Sequence, residues 1–338
     1  MNSMTRLCLL LLIVLLAFGL RIYRLDYQDL WGDEAYSVYV SRMALSNIVR
    51  GGVDTHPPLY HVLLHFLIGL AGNRVFALRF LPLIASLLLV PLTYRLGQEI
   101  FDELTGFLAA FLTAIAPFQV YYAQETRMYS LAALGSTLSA WFFWRLLRSE
   151  TNLRERRWRL WTGYVLTTAI ALYSHYYAFF VLAAQVSLIL AMHWRKPAHL
   201  VRWLTVFTLL AVFYIPWIAA QMSFLGNKAS TRYEEYSLAF LGRIIWRTIA
   251  ALSLGLTIRP LLTVYLMPGF LVLLMAGLMR ILRRGEGIRW GHWLVILWLV
   301  APLILAWVVN PVMPFFHPRY LLICAPAWAI LLAAGEGR

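Results

Sequence analysis

Charge is what this sequence has least of: 13% of its 338 residues are charged, and only 15 are acidic against 29 basic. A soluble domain of this length places polar residues along one face of each helix, whereas most segments here are apolar all round. Runs such as LCLLLLIVLLAFGL (7–20) and LPLIASLLLVPLTY (81–94) carry more apolar surface than a soluble fold buries. The two cysteines, Cys8 and Cys324, are far apart inside apolar runs and say nothing about a disulfide framework or a metal site. The period-2 alternation of a membrane barrel is missing, and so are the glycine-rich nucleotide-binding fingerprints. No A-x-A pattern follows the apolar run after Arg6, so the N-terminus reads as an uncleaved first helix. What remains is an all-α, polytopic integral membrane protein, a single transmembrane domain over 1–338 without a separate soluble domain, internal repeat or low-complexity tract.

The net charge of +14 does not point to nucleic acid, because the basic residues fall between apolar runs instead of gathering on one face. Three linkers hold thirteen of them, around Arg145–Arg159, Arg195–Arg202 and Arg280–Arg289, against three acids, Glu150, Glu155 and Glu286. The positive-inside rule makes these linkers cytoplasmic. The stretch from Arg21 to Arg79 is near neutral, with six arginines and five acids, and its place after the first span puts it outside as a long loop over about 21–78. Parity then gives a cytoplasmic N-terminus and about ten crossings, near 7–22, 79–97, 104–122, 128–147, 160–174, 176–194, 203–221, 261–281, 290–309 and 319–335. The short apolar pieces 57–72 and 244–258 are expected to lie along the membrane surface as amphipathic helices. The same parity gathers the first loop and the tips YYAQETRMY (121–129), YSHYY (173–177), GNKASTRYEEY (226–236) and FFHPRY (315–320) on the extracytoplasmic face.

Charged groups at membrane depth are costly and usually pair or handle a substrate. Asp33 and Glu34, in WGDEAY, either solvate the loop and cap the helix that follows, or supply a general base held near an apolar boundary. In THPPLYH, Pro57 and Pro58 preset a helix entrance and fix His56 beside them, as a plain loop residue or as a substrate-positioning group. QETRMY brings Gln124, Glu125, Arg127 and Tyr129 to one tip, as a local ion pair or as substrate contacts. Arg79 and Arg319 sit at the starts of the second and last crossings, where each either snorkels to the headgroups or binds a phosphate. His175 is a lone histidine among tyrosines that fit an interfacial belt, with sugar stacking as the other use for their rings.

These motifs, in this order, resemble the family 39 branch of the GT-C membrane glycosyltransferases, which includes protein O-mannosyltransferases and aminoarabinose transferases of lipid A. The D-E pair, H-P-P-L-Y, A-L-R-F-L-P, Y-Y-A-Q-E-T-R-M-Y and H-P-R-Y-L carry the likeness, which spans roughly residues 5–335. It implies a GT-C fold and glycosyl transfer on the extracytoplasmic face of a cell membrane, from a polyprenyl-phosphate sugar to a lipid, glycan or protein hydroxyl. It also implies Asp33 as the base, with Glu34 beside it, and His56, Arg79, Gln124, Glu125, Arg127, Tyr129, His175, Arg319 and Tyr320 around the substrates. His56 stands where some relatives carry lysine, which leaves its role open. No cofactor is fixed by these residues; a divalent metal ion at Asp33, Glu34 or Glu125 is open, because carboxylates suit a hard cation but no ligand spacing is evident. The rival functions are a secondary transporter or flippase of lipid-linked sugars, which predicts mid-span ionisable groups and two similar halves, and a non-catalytic lipid-binding membrane subunit.

Overall fold

The computed structural model describes residues 2–51, 54–148, 157–226, 237–283, 290–310 and 316–335, and among these every regular element is helical. The first apolar run forms α1 (Ser3–Ile22). The long loop then folds into three short helices, α2 (Gly32–Ser41), α3 (Leu45–Arg50) and α4 (Leu59–Ala71). The rest of the chain is α5 (Val75–Ile100), α6 (Glu103–Ile115), α7 (Pro117–Ala123), α8 (Tyr129–Arg148), α9 (Arg157–Ser174), α10 (Ala178–His193), α11 (Pro197–Gly226), α12 (Leu238–Leu254), α13 (Pro260–Arg283) and α14 (Trp290–Val309). A 3-10 segment (Pro318–Cys324) continues into α15 (Ala325–Ala334).

By length and composition five helices suit a membrane crossing, α1, α5, α11, α13 and α14, or six if the bent pair α6–α7 is one span. That falls short of the ten that sequence predicts, for local reasons. The run 128–147 becomes α8, in which Ser, Thr and Gly interrupt the apolar residues; α9 opens on Arg157 and Arg159. The run 176–194 yields only 16 residues of α10, and 319–335 is divided between two helix types. The pieces expected at 57–72 and 244–258 are the short helices α4 and α12, the latter starting earlier, at Leu238.

In lipid, helices gain little hydrophobic drive from pairing with one another, so close van der Waals approach through small residues matters more. The α5–α6 and α8–α9 pairs show this: a Cβ on Gly106 would lie 2.7 Å from the Tyr94 carbonyl oxygen, and one on Gly135 would lie 2.8 Å from the Ala171 nitrogen. Helix α5 is the hub of the arrangement, touching α1, α4, α6, α7 and α8.

One buried arginine sets the geometry of the site end. Pro117 has no N–H, so the Thr113 carbonyl four residues earlier loses its helical donor, and the chain bends by 55° between α6 and α7. The fully buried Arg21, at the end of α1, donates to the freed Thr113 (3.0 Å) and Ala114 (2.8 Å) carbonyls and to Ser86 Oγ (2.9 Å). A cation at a helix C-terminus is favourable in itself. The bend carries α7 and the tip that follows it towards α2.

Replacing Arg21 with methionine leaves these carbonyls without a donor, at about 1–3 kcal/mol for each unsatisfied group. The expected outcome is a marked fall in the thermal unfolding midpoint of the purified protein, measured by tryptophan fluorescence.

Candidate active site

Glu34 lies in the first turn of α2 and is fully buried. Its two oxygens face the Arg79 guanidinium as a fork, at 2.9 Å from Nε to Oε1 and 2.7 Å from Nη2 to Oε2. Oε1 also accepts the Thr126 backbone N–H (2.7 Å), and Oε2 accepts that of Trp31 (3.3 Å). Arg79 spends its remaining N–H groups on the carbonyls of Leu25, Gln28 and Asp29. Every donor of Arg79 is thereby used, so the pair is a closed joint between α2, α5 and the 124–128 tip, and the phosphate contact read from sequence for Arg79 has no donor left to make it. Glu34 caps its helix, as one reading of the D-E pair holds, but from inside the protein.

Asp33, the preceding residue, points elsewhere. Its side chain is 37% exposed, and Oδ2 accepts from Arg319 Nη1 at 2.9 Å. It lines a polar cavity of about 380 Å³ together with Tyr36, Asp54, Thr55, His56, Arg127 and Arg319. Arg127 is buried and is held by Ser37 Oγ (2.8 Å) and the Asp33 carbonyl (3.2 Å). The Nε atoms of Arg127 and Arg319 are buried without a hydrogen-bond partner among the described residues. Both guanidiniums approach the Tyr129 ring, Arg127 at 5.8 Å and Arg319 at 5.6 Å from its centroid.

Two prolines fix His56 at the cavity wall, where its Nδ1 meets Asp54 Oδ1 at 3.0 Å. The other Asp54 oxygen meets His61 Nε2 at 2.8 Å. Burial would raise the Asp54 carboxyl, but its hydrogen bonds to His56 and His61 outweigh that and hold it below the usual carboxylate range. Burial also lowers His56, with Asp54 opposing, which keeps the ring neutral. A neutral His56 that donates through Nδ1 to Asp54 leaves Nε2 as an acceptor.

Past His56 and Thr55 the polar cavity adjoins an apolar groove of about 320 Å³, walled by Tyr177, Phe179, Phe180, Val309 and Tyr320. His175 stands there in a ring cluster, 5.7 Å from His56, 5.8 Å from Tyr129 and 4.9 Å from Tyr320 between centroids. Its Nδ1 accepts the Tyr177 N–H, and burial pushes its proton affinity well down.

The remaining tip residues face a different space. The Gln124 amide donates to the Arg21 and Tyr23 carbonyls, tying the tip to the end of α1. Glu125 is 5% exposed, and its Oε2 has no hydrogen-bond partner among the described residues. Burial first, and the charge of Glu34 second, push its carboxyl up to about 7, against the pull of Arg319 and Arg127. No group of three or more His, Cys, Asp or Glu placed to hold a metal ion occurs among the described residues. Glu34 has both oxygens filled and Asp33 diverges from it, so the pair does not form a shared cation site.

Asp33, His56, Arg127, His175, Arg319 and Tyr320 thus line two adjoining cavities, with the Tyr129 ring packed behind Arg127, Arg319, His175 and Tyr320, while Glu34 and Arg79 form a joint that lines neither. Asp54, Tyr36 and His61 were not singled out from sequence. Their signals were the D-x-H-P-P-x-x-H spacing at 54–61 and the i, i+3 relation of Asp33 and Tyr36 on one helix face. The loop 227–236, residues 311–315 and much of the basic linkers at 149–156 and 284–289 lie outside the described residues.

A bent, all-helical membrane bundle whose first loop carries the acidic pair defines a class, the GT-C fold. The structure is similar to ArnT from Cupriavidus metallidurans in its apo state, with a TM-score of 0.67 and 15% identity over 96% of this chain and 59% of that one. The undecaprenyl-phosphate-bound form of the same protein gives a TM-score of 0.67 and 14% identity, over 99% of this chain and 60% of that one. An apo oligosaccharyltransferase from Archaeoglobus fulgidus gives 0.62 and 16% identity, over 99% and 50%. The chain therefore spans between half and three-fifths of the length of these structures. A family model described as dolichyl-phosphate-mannose-protein mannosyltransferase matches residues 55–219, so the resemblance carried by the motifs is found independently. No curated protein sequence matches the chain.

Two measurements test this geometry. Glu34→Gln leaves a buried guanidinium without its counter-charge, a change typically costing about 3–5 kcal/mol. Its unfolding midpoint falls sharply, and adding Arg79→Met does not restore it, because the carbonyls of Leu25, Gln28 and Asp29 then lose their donor as well. For Glu125, a proton held more tightly in the folded than in the unfolded chain means stability present below the ordinary carboxyl range and lost as pH rises through about 7. Glu125→Gln removes that loss, so its midpoint rises relative to the parent between pH 5 and pH 8, at about 1.4 kcal/mol per pH unit of displacement.

Proposed function

We propose that the protein is a membrane glycosyltransferase that moves a single hexosyl or pentosyl unit, as mannosyltransferases do, from a polyprenyl-phosphate donor to an acceptor hydroxyl on a lipid, glycan or protein. The observation that carries this reading is the joining of two unlike spaces at His56 and Thr55: a polar chamber holding Asp33, Arg127 and Arg319, and an apolar groove beside it. A prenyl-phosphate sugar has the same division, an anionic, hydroxyl-rich head on an apolar tail. The similar ArnT structure binds undecaprenyl phosphate and the similar archaeal oligosaccharyltransferase AglB is in complex with a dolichol-phosphate, which supports such a donor here.

Asp33 takes the proton from the acceptor hydroxyl as its oxygen attacks the anomeric carbon. The new C–O bond forms on the face opposite the phosphate, the old one breaks with its electron pair, and the configuration inverts. Polyprenyl phosphate departs as a stable anion, so no acid is needed to protonate it, unlike the alkoxide of glycoside hydrolysis. Arg319 and Arg127 balance the charge that builds on the departing phosphate. Arg319 also holds the base, so its bond to Asp33 loosens as phosphate charge competes for the guanidinium. The positive-inside pattern of the linkers supports an extracytoplasmic site, where nucleotide sugars are absent and a membrane-borne donor is required.

Purified protein incubated with radiolabelled polyprenyl-phosphate sugars and a membrane extract is expected to transfer label from one of them. Asp33→Asn lowers the rate about 100- to 10,000-fold, the usual worth of a general base, with the unfolding midpoint unchanged. Near-normal transfer by that variant removes the assignment, and lipid binding without transfer by the parent favours a non-catalytic subunit.

A further inference from the structure

Across the first turn of α2 from the Asp33 chamber lies another polar cavity, of about 450 Å³. Asp33 lines one and Glu34, the next residue, lines the other, so a single helical turn separates them. The second cavity is walled by Arg24, Tyr27, Trp31, Tyr121, Gln124 and Glu125.

Most of its polar groups are committed. Glu34 and Arg79 satisfy each other, and the Gln124 amide nitrogen is bound to backbone carbonyls. The Arg24 guanidinium lies over the Tyr27 ring at 4.0 Å. Arg24 is also the only non-glycine residue with positive φ among the described residues, so the chain is held here in an unfavourable backbone shape. What is left is the Glu125 carboxyl, which the Trp31 side chain also contacts and whose buried Oε2 has no hydrogen-bond partner among the described residues, beside the half-exposed rings of Trp31 and Tyr121.

This set selects among ligands. A phosphate would meet two carboxyl groups, with Arg24 as the one cation not tied to a carboxylate. A divalent cation would find one carboxyl with free capacity, where hard cations take six or more oxygens. A neutral ring bearing hydroxyls fits both halves of the surface, because a hydroxyl both donates and accepts at Glu125 while its C–H face lies on the aromatic rings. We propose that the Glu125 cavity is a second binding site, taking a neutral, hydroxyl-bearing ring such as a sugar. As a binding site it stands alone; as the acceptor site, with the acceptor approaching Asp33 from the side opposite the donor, it rests on the glycosyl-transfer reading above.

The test is saturation-transfer NMR on the full chain in lipid nanodiscs free of sugar detergents, with methyl glycosides of the common hexoses and pentoses at millimolar concentration. At least one glycoside is expected to bind, to bind equally in Asp33→Asn, and to bind about tenfold more weakly in Glu125→Ala and in Tyr121→Ala, the worth of one buried hydrogen bond. Circular dichroism and unfolding midpoints establish that each variant is folded, and either variant alone decides the matter if the other is not. A glycolipid that displaces the glycoside supports a lipid-borne ring, and failure to displace it supports a soluble one. The proposal is overturned if no glycoside binds, if binding ignores both variants, or if it is lost only with Asp33→Asn. Binding of manganese or inorganic phosphate that depends on Glu125 overturns it in favour of an ion. Retained transfer in Asp33→Asn with glycoside binding lost in the Glu125 variant would remove the reaction assignment and leave the site in place.

Discussion

The buried fork between Glu34 and Arg79 is the constraint on which the site end of this protein depends. It satisfies both charged groups completely and, through Thr126, Trp31 and three carbonyls, ties together the first loop, the start of α5 and the tip before α8. None of these segments is long enough to hold its own shape, since isolated helices of this length are marginal. A buried ion pair adds little net stability compared with an apolar one, but it tolerates few alternative geometries. Here that geometry fixes where Asp33 points.

The arginines divide by what they have left to give. Arg21 is used up on the broken end of α6 and Arg79 on Glu34 and loop carbonyls, so both are framework. Arg127 is buried and Arg319 half-buried beside a cavity, each with a buried Nε that has no hydrogen-bond partner among the described residues, so a partly desolvated positive field faces a space large enough for a ligand headgroup. In such surroundings a positive group acts on developing charge far more strongly than in water. The Tyr129 ring lies within 6 Å of both cations and carries no charge to neutralise either.

Much of this was legible in sequence. Apolar runs gave an all-helical membrane bundle, and charge asymmetry with parity brought Asp33, His56, Glu125, His175 and Arg319 to one end, where the structure also gathers them. Three things were hidden. Of the ten crossings expected, five or six of the described helices are long and apolar enough to span, and α8 and α9 instead combine lower hydropathy with close small-residue contact between them. The commitment of Arg79 could not be seen, because whether a guanidinium is spent depends on backbone carbonyls contributed by a loop with no periodic signal. Asp54 read as an ordinary loop acid, because its value comes from two histidines that only a folded turn brings to it.

The adjacency of the two acids explains their different fates. Successive helical residues point about 100° apart, since a turn takes 3.6 residues, so neighbours in a first turn do not enter the same cavity. If both carboxylates faced one chamber, each would raise the proton affinity of the other and a base would be lost. Placed as they are, one is consumed in building the wall and the other is presented from it, with Arg319 as its partner. The same divergence leaves Glu34 between the Asp33 chamber and the Glu125 cavity, where its charge helps raise the Glu125 carboxyl. A single dipeptide thereby serves both sides of the turn, Asp33 as the carboxylate that meets Arg319 and Glu34 as a charge that adds to burial in raising Glu125.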